Sequence, residues 1–288
     1  MKGDITTMKK ILMAGDLSAR CDNALKRAAL VAAEQGAALT VVYVASDDLP
    51  AHVREQLVRA SEIALRDQIE RACGSGRASI QALVQSGRDW STILEVAELG
   101  GFDLIVLGTH RMNRVGYLLG STVERLIAHV NVPVLVVPQP PEQAYRRPIA
   151  AVDFSIHSRR AVQLARALAP EVKIIAVHAW DLPFRAFLRS EASRKDIEAA
   201  ETERLQRLID REFAELVVAD PDGRERLEPA MRRGDAVAVV EAEVTARKAD
   251  LLVLGTHGGG GFREAMVGST AKTFLKLPPC DVAVVKAW

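Results

Sequence analysis

An internal duplication limits what this chain can fold into more than any other feature of its sequence. Phe102-Asp103-Leu104-Ile105-Val106-Leu107-Gly108-Thr109-His110 returns as Ala249-Asp250-Leu251-Leu252-Val253-Leu254-Gly255-Thr256-His257. Gly120-Ser121-Thr122 returns as Gly268-Ser269-Thr270, and Val134-Leu135-Val136-Val137 as Val282-Ala283-Val284-Val285. Earlier in each half, Gly15-Asp16-Leu17-Ser18 is echoed by Val152-Asp153-Phe154-Ser155, and Gly87 by Gly234. The matches keep their order and span each half, so a whole domain is duplicated rather than a short solenoid unit. The seam is Pro138 to Pro148, a polar stretch with four prolines that reads as an extended linker. The expected domains are therefore 1–138 and 149–288, joined by 139–148.

Each half alternates short Val/Ile/Leu runs with segments of helical spacing. Strands are expected at Lys10–Gly15, Leu39–Ala45, Ile80–Gln85, Asp103–Leu107 and Val132–Val137, and again near Ile149–Val152, Val172–His178, Leu227–Met231, Leu251–Leu254 and Val282–Val285. Continuous apolar runs between helices mean strands buried on both faces, hence an α/β fold with parallel sheets. Phe184 to Val218, rich in mixed charges, reads as one or two long solvated helices. In such sheets ligands bind beyond the carboxyl ends of the strands, where strand order reverses. Asp153 ends the first strand of the second half and Gly255 ends its fourth.

The stretch with most chemistry follows Gly255. His257 is succeeded by four glycines, Gly258 to Gly261, and Gly268-Ser269-Thr270 opens a helical pattern. Glycines bring backbone N–H groups close to an anion, and a helix start supplies free donors and partial positive charge. A glycine run can equally be a plain flexible loop. The spacing is Gly255, two residues, Gly258, nine residues, Gly268-Ser269. This resembles the ATP-binding signature of the universal stress protein family. It is not a Walker loop, because no Gly-Lys-Ser/Thr follows.

The resemblance covers about Lys9 to Lys286. It implies two Rossmann-like domains of the adenine nucleotide alpha hydrolase-like kind, each a five-stranded parallel sheet of order 3-2-1-4-5 flanked by helices. It also implies that the domains pack as a pseudo-dimer through their last strands, whose apolar edges would otherwise need cover, and that two such chains can associate as a homodimer. The implied ligand is ATP, alone or with Mg2+. Gly255, Gly258, Gly268, Ser269 and Thr270 would cradle its phosphates, Asp153 would face the nucleoside and the backbone of Ala179 the adenine. On residue type alone Asp153 reads equally as a turn or capping aspartate, and Ser269 and Thr270 as helix caps. His110, His257 and His178 read as loop-ordering or wall residues, and Arg263 and Lys272 as solvated charges near the loop.

The first half departs from the signature. Arg111 stands where the second glycine belongs, and eight residues rather than nine separate it from Gly120. A side chain there blocks the close backbone approach to phosphate, so the first half is expected not to bind ATP in the family manner; the alternative is that Arg111 itself neutralises phosphate. Asp16 and Gly120-Ser121 are kept.

A net charge of +1 and 5% aromatics argue against nucleic acid as a partner. No apolar run reaches the length of a membrane helix, and Met1 to Lys10 lacks a signal-peptide core. The three cysteines, Cys21, Cys73 and Cys280, have no metal spacing and read as free thiols of a reducing compartment. The expectation is a cytoplasmic, nucleotide-dependent regulator in stress response with an unidentified protein partner and no catalytic residue. A slow ATPase and a nucleotide-free scaffold stay open; near the loop Glu264 is the sole carboxylate placed to meet a metal.

Overall fold

The computed structural model describes residues 8–74, 80–109, 121–180, 191–218, 226–256 and 267–286. The first half runs β1 (Lys10–Gly15), α1 (Cys21–Gln35), β2 (Ala38–Ala45), α2 (Ala51–Cys73), β3 (Ile80–Ser86), α3 (Asp89–Gly100), β4 (Leu104–Gly108), α4 (Ser121–His129) and β5 (Val134–Val137). The second runs β6 (Pro148–Ala151), α5 (Ile156–Leu168), β7 (Ile174–Trp180), α6 (Glu191–Val218), β8 (Leu227–Arg233), α7 (Ala236–Arg247), β9 (Leu251–Gly255), α8 (Ser269–Lys276) and β10 (Asp281–Val285).

The strands form one ten-stranded sheet of order β3-β2-β1-β4-β5-β10-β9-β6-β7-β8. Each half has the expected order 3-2-1-4-5, with parallel neighbours throughout. The last strands meet antiparallel, Val282 opposite Val136 and Val284 opposite Val134. That pairing removes the two apolar edges that each half would otherwise leave open.

Successive side chains of a strand point to opposite faces, and the apolar runs fill both. On one face Ile11, Met13, Leu104 and Val253 pack under α1, α2, α5 and α6, with Leu25, Leu65, Ala165 and Phe213 among the helix contributions. On the other, Leu12, Ile105, Leu252 and Val284 pack under α3, α4, α7 and α8 through Ile93, Leu126, Val240 and Phe274. Each apolar cluster is continuous across both halves, so the duplicated domains share their core.

The repeated aspartate before the fourth strand fixes where each first strand begins. Asp103 Oδ2 accepts from the backbone N–H of Lys9 and Lys10 at 2.7 and 2.9 Å. Asp250 accepts from Arg146 and Arg147 at 2.8 and 2.9 Å.

α5 begins at Ile156 because Ser155 caps it, its Oγ accepting from Ser158 N at 3.2 Å. Two expectations need correction. α6 is one 28-residue helix and is not wholly solvated, since Ile209 and Phe213 enter the core. The seam is no loose tether: Tyr145 is 3% exposed and Pro148 is already the first residue of β6.

Candidate functional site

Because β6 pairs with β9, the chain leaving each strand faces the same crevice. Its walls hold Asp153 after β6, Ala179 on β7, Gly255 at the end of β9, and Gly268, Ser269 and Thr270 at the start of α8. The volume is about 250 Å³. Six of the seven residues singled out from sequence therefore converge. The seventh, Gly258, lies outside the described residues, as do His110, Arg111, Gly120, His257, Arg263 and Glu264. Lys272 is half-buried one turn further along α8 and does not line the crevice.

Asp153 is oriented by a tight turn. Its Oδ1 accepts from Ser155 N at 3.0 Å, and Phe154 between them is left-handed at φ +63°. A bulky side chain with φ > 0 is unusual and must be held by its surroundings. The Phe154 ring packs 4.6 Å from the His178 ring and 5.0 Å, edge to face, from Phe213. The imidazole in turn pairs its Nδ1 with Val152 O at 2.8 Å. His178 thus belongs to the packing behind the aspartate, on the opposite face of the sheet from Ala179. The first half repeats the turn: Asp16 Oδ1 accepts from Ser18 N at 3.0 Å, and Leu17 has φ +59°.

Gly255 has a packing reason as well as a place in the crevice. A Cβ there would lie 2.8 Å from His157 Cβ and 2.9 Å from His157 carbonyl carbon. The glycine lets α5 start directly against the end of β9.

Sequence reading allowed Ser269 and Thr270 to cap α8, and the structure corrects that. Gly268 occupies the N-cap, and no side-chain hydrogen bond caps the helix among the described residues. Ser269 and Thr270 fill the first two helical positions, where backbone N–H groups have no intrahelical acceptor. Gly268 N donates to Thr256 O at 2.6 Å, and Thr256 N to Val285 O at 2.9 Å. The start of α8 is thereby tied to the end of β9.

Sequence reading passed over Thr256, Ser158, Ala236 and Val240, which also line this crevice. Thr256 is 1% exposed and sits inside the repeated Gly-Thr-His, so repetition marked it without indicating a role. Among the described residues no group of three or more His, Cys, Asp or Glu could hold a metal ion, and no helix is long and apolar enough to cross a membrane.

Two Rossmann-like units, duplicated and joined through their last strands, each opening at the carboxyl ends of its strands, define a tandem α/β protein of the doubly wound kind. The chain belongs to the universal stress protein family, whose sequence model matches residues 7–138 and 144–286. It is similar to universal stress protein Rv1996 of Mycobacterium tuberculosis (strain ATCC 25618 / H37Rv), 27% identical over 254 residues that cover 83% of this chain and 74% of the relative. A universal stress protein of Thermus aquaticus is 36% identical over 148 residues, which cover 48% of this chain and 96% of that protein. In fold the chain resembles the crystal structure of a universal stress protein from Archaeoglobus fulgidus DSM 4304, with TM-score 0.65 and 18% identity, covering 96% of this chain and 98% of that one.

Proposed function

We propose that the second-half crevice binds an adenine nucleotide, and that the chain acts in the cytoplasm as a nucleotide-dependent regulator or interaction protein in stress response. One observation carries the reading: a helix start, Gly268-Ser269-Thr270, with no side-chain cap among the described residues, opens into the same crevice as the Asp153 carboxylate and the small apolar wall at Ala179. Backbone donors at one part of a crevice and an acceptor with an apolar wall at another suit a molecule with an anionic end, hydroxyls and a flat ring. Gly255, Gly258 and Gly268 would admit the phosphates of ATP, Asp153 would accept from the ribose hydroxyls, and the adenine would lie along Ala179. A Mg2+ ion, where present, would take its oxygen ligands mainly from phosphate and water. Bound nucleotide would stabilise one arrangement of the loop after Gly255 and so bias a surface that partners read.

The test is a titration of the full chain with ATP, ADP and AMP, read by calorimetry and by thermal shift. A ligand at about one hundred times its Kd should add roughly 2.7 kcal/mol of stability. Gly258→Arg, which copies Arg111 of the first half, should abolish the ATP-dependent shift and leave the circular dichroism unchanged. ATP binding that persists unaltered in this variant would sink the assignment.

A further inference from the structure

The first half has its own crevice of about 320 Å³, at the carboxyl ends of β1, β2 and β4. Part of its lining repeats that of the second half. Asp16 holds the place of Asp153, in the same turn with the same 3.0 Å bond from the N–H two residues on. Val44, next to last on β2, holds the place of Ala179, next to last on β7, and each lines its own crevice. Buried Ala14, Ile93, Leu107 and Val123 complete an apolar floor.

The halves differ at the helix after the third strand. In the second half Asp235 is the N-cap of α7, and its carboxylate accepts from Val237 N and Ala238 N at 2.9 and 3.1 Å. The crevice wall beside it is Ala236. In the first half the aspartate is displaced by one position. Arg88 is the N-cap of α3 and makes no side-chain cap, while Asp89 is the first helical residue and lines the crevice. Asp89 is exposed, and its carboxylate has no hydrogen-bond or ion partner among the described residues. A carboxylate engaged in capping in one half thus faces the cavity in the other.

We propose that this first-half crevice is a second ligand site, for an uncharged nucleoside rather than a phosphate ester. The choice of a nucleoside rests on the reading above, that Asp153 and Ala179 face one. Ionised carboxylates only accept hydrogen bonds, so Asp16 and Asp89 together suit a ring carrying hydroxyl and amino donors. A phosphate brought near the same two groups meets like charge, a repulsive element that discriminates against it. Arg20 is the one cation lining the crevice among the described residues, and it is exposed. The two halves would then divide one recognition problem, the second taking the nucleotide and the first its dephosphorylated relative.

Adenosine titrated into the full chain at saturating ATP tests this. One adenosine per chain is expected, weakened tenfold or more by Asp89→Ala, with ATP affinity within twofold of wild type. AMP should bind this crevice at least tenfold more weakly than adenosine. Circular dichroism and a thermal melt check that the exposed substitution leaves the fold intact. The proposal is overturned if adenosine does not bind beside ATP, if its binding ignores Asp89→Ala, or if ATP itself saturates at two per chain. Should ATP not bind at all, the second-half reading fails, and adenosine titrated alone into wild type and Asp89→Ala still decides this one.

Discussion

Arg27 Nε donates to Asp281 Oδ2 at 2.7 Å, joining α1 of the first half to the start of β10 across 254 positions of sequence. The two side chains are 7% and 5% exposed. Tyr145 of the seam donates its hydroxyl to the same oxygen at 2.7 Å, and its ring lies 4.0 Å beneath the guanidinium. Burial above all, and then the charge of Asp281, push the Tyr145 hydroxyl well above its ordinary pKa, so it stays a donor. A second Arg27 nitrogen donates to Gln143 O at 2.7 Å. The seam is therefore clamped between the halves. Removing one member of a buried pair costs about 3–5 kcal/mol, whereas replacing the whole set by packed apolar groups is often close to neutral. Arg27→Met should lower the unfolding free energy by that amount in a urea titration, and Arg27→Met with Asp281→Leu and Tyr145→Phe should recover most of it. A single variant within about 1 kcal/mol of wild type would show that the clamp contributes little.

Gly255 and Gly108 are equivalent by repetition and differ in their surroundings. A Cβ at Gly255 would press against the backbone of His157 at 2.9 Å, while one at Gly108 would sit at ordinary contact, 3.7 Å from Ala24 Cβ and Cys21 Cα. Overpacking of this kind costs about 1–3 kcal/mol. Gly255→Ala should lose that much in chemical denaturation and, on the function proposed above, weaken ATP by moving α5 against the crevice. Gly108→Ala should be nearly silent. Equal effects at both positions would contradict the packing account.

The duplication and the apolar runs made the sheet legible, because strands buried on both faces cannot be disguised in sequence. The convergence of Asp153 with Gly255 was legible through the family resemblance, which implied the strand order that brings β6 beside β9. Contacts between distant positions were not. Nothing around Tyr145 announces that its partner is Asp281, 136 positions away. Gly255 was readable as a glycine, but its close contact with His157 depends on where α5 starts, and that start hinges on one hydroxyl at Ser155. The one-residue displacement from Asp235 to Asp89 lies in plain view, yet it acquires meaning only when the caps of α7 and α3 are known.

Lys248 gives a stabilising prediction. α1 and α3 end on Gly36 and Gly101, both left-handed at φ +62°. α7 ends on Lys248 in the same conformation, φ +51°, where glycine carries no Cβ penalty. The lysine side chain is exposed. Its backbone carbonyl accepts from Arg147 Nε, a bond that glycine keeps. Lys248→Gly should raise stability by about 1 kcal/mol, seen as a higher midpoint in urea at an unchanged m-value. A lower midpoint would mean that the lysine side chain contributes more than its backbone strain costs.

The thiols predict both reactivity and a pH dependence. Burial, reinforced by a hydrogen bond to Asp16 at 2.9 Å, pushes Cys21 up to about 12. Burial and the nearby Asp281 and Asp250 carboxylates do the same for Cys280, also to about 12. The thiolate is the reactive form, so iodoacetamide at about pH 8 should label Cys73, the least buried of the three, well before the other two. Mass spectrometry of tryptic peptides reads the order. In the unfolded chain both thiols ionise near 9.0, whereas in the folded chain they hold their protons to about 12. The folded state then binds more protons, and stability must fall as pH rises between those values, by about 1.4 kcal/mol per pH unit for each thiol. Tyr145, raised by burial, adds a loss of the same sign. Cys21→Ala with Cys280→Ala should therefore flatten this alkaline slope without abolishing it. A slope identical to wild type in the double variant would show that the two thiols ionise in the folded chain as they do in the unfolded one.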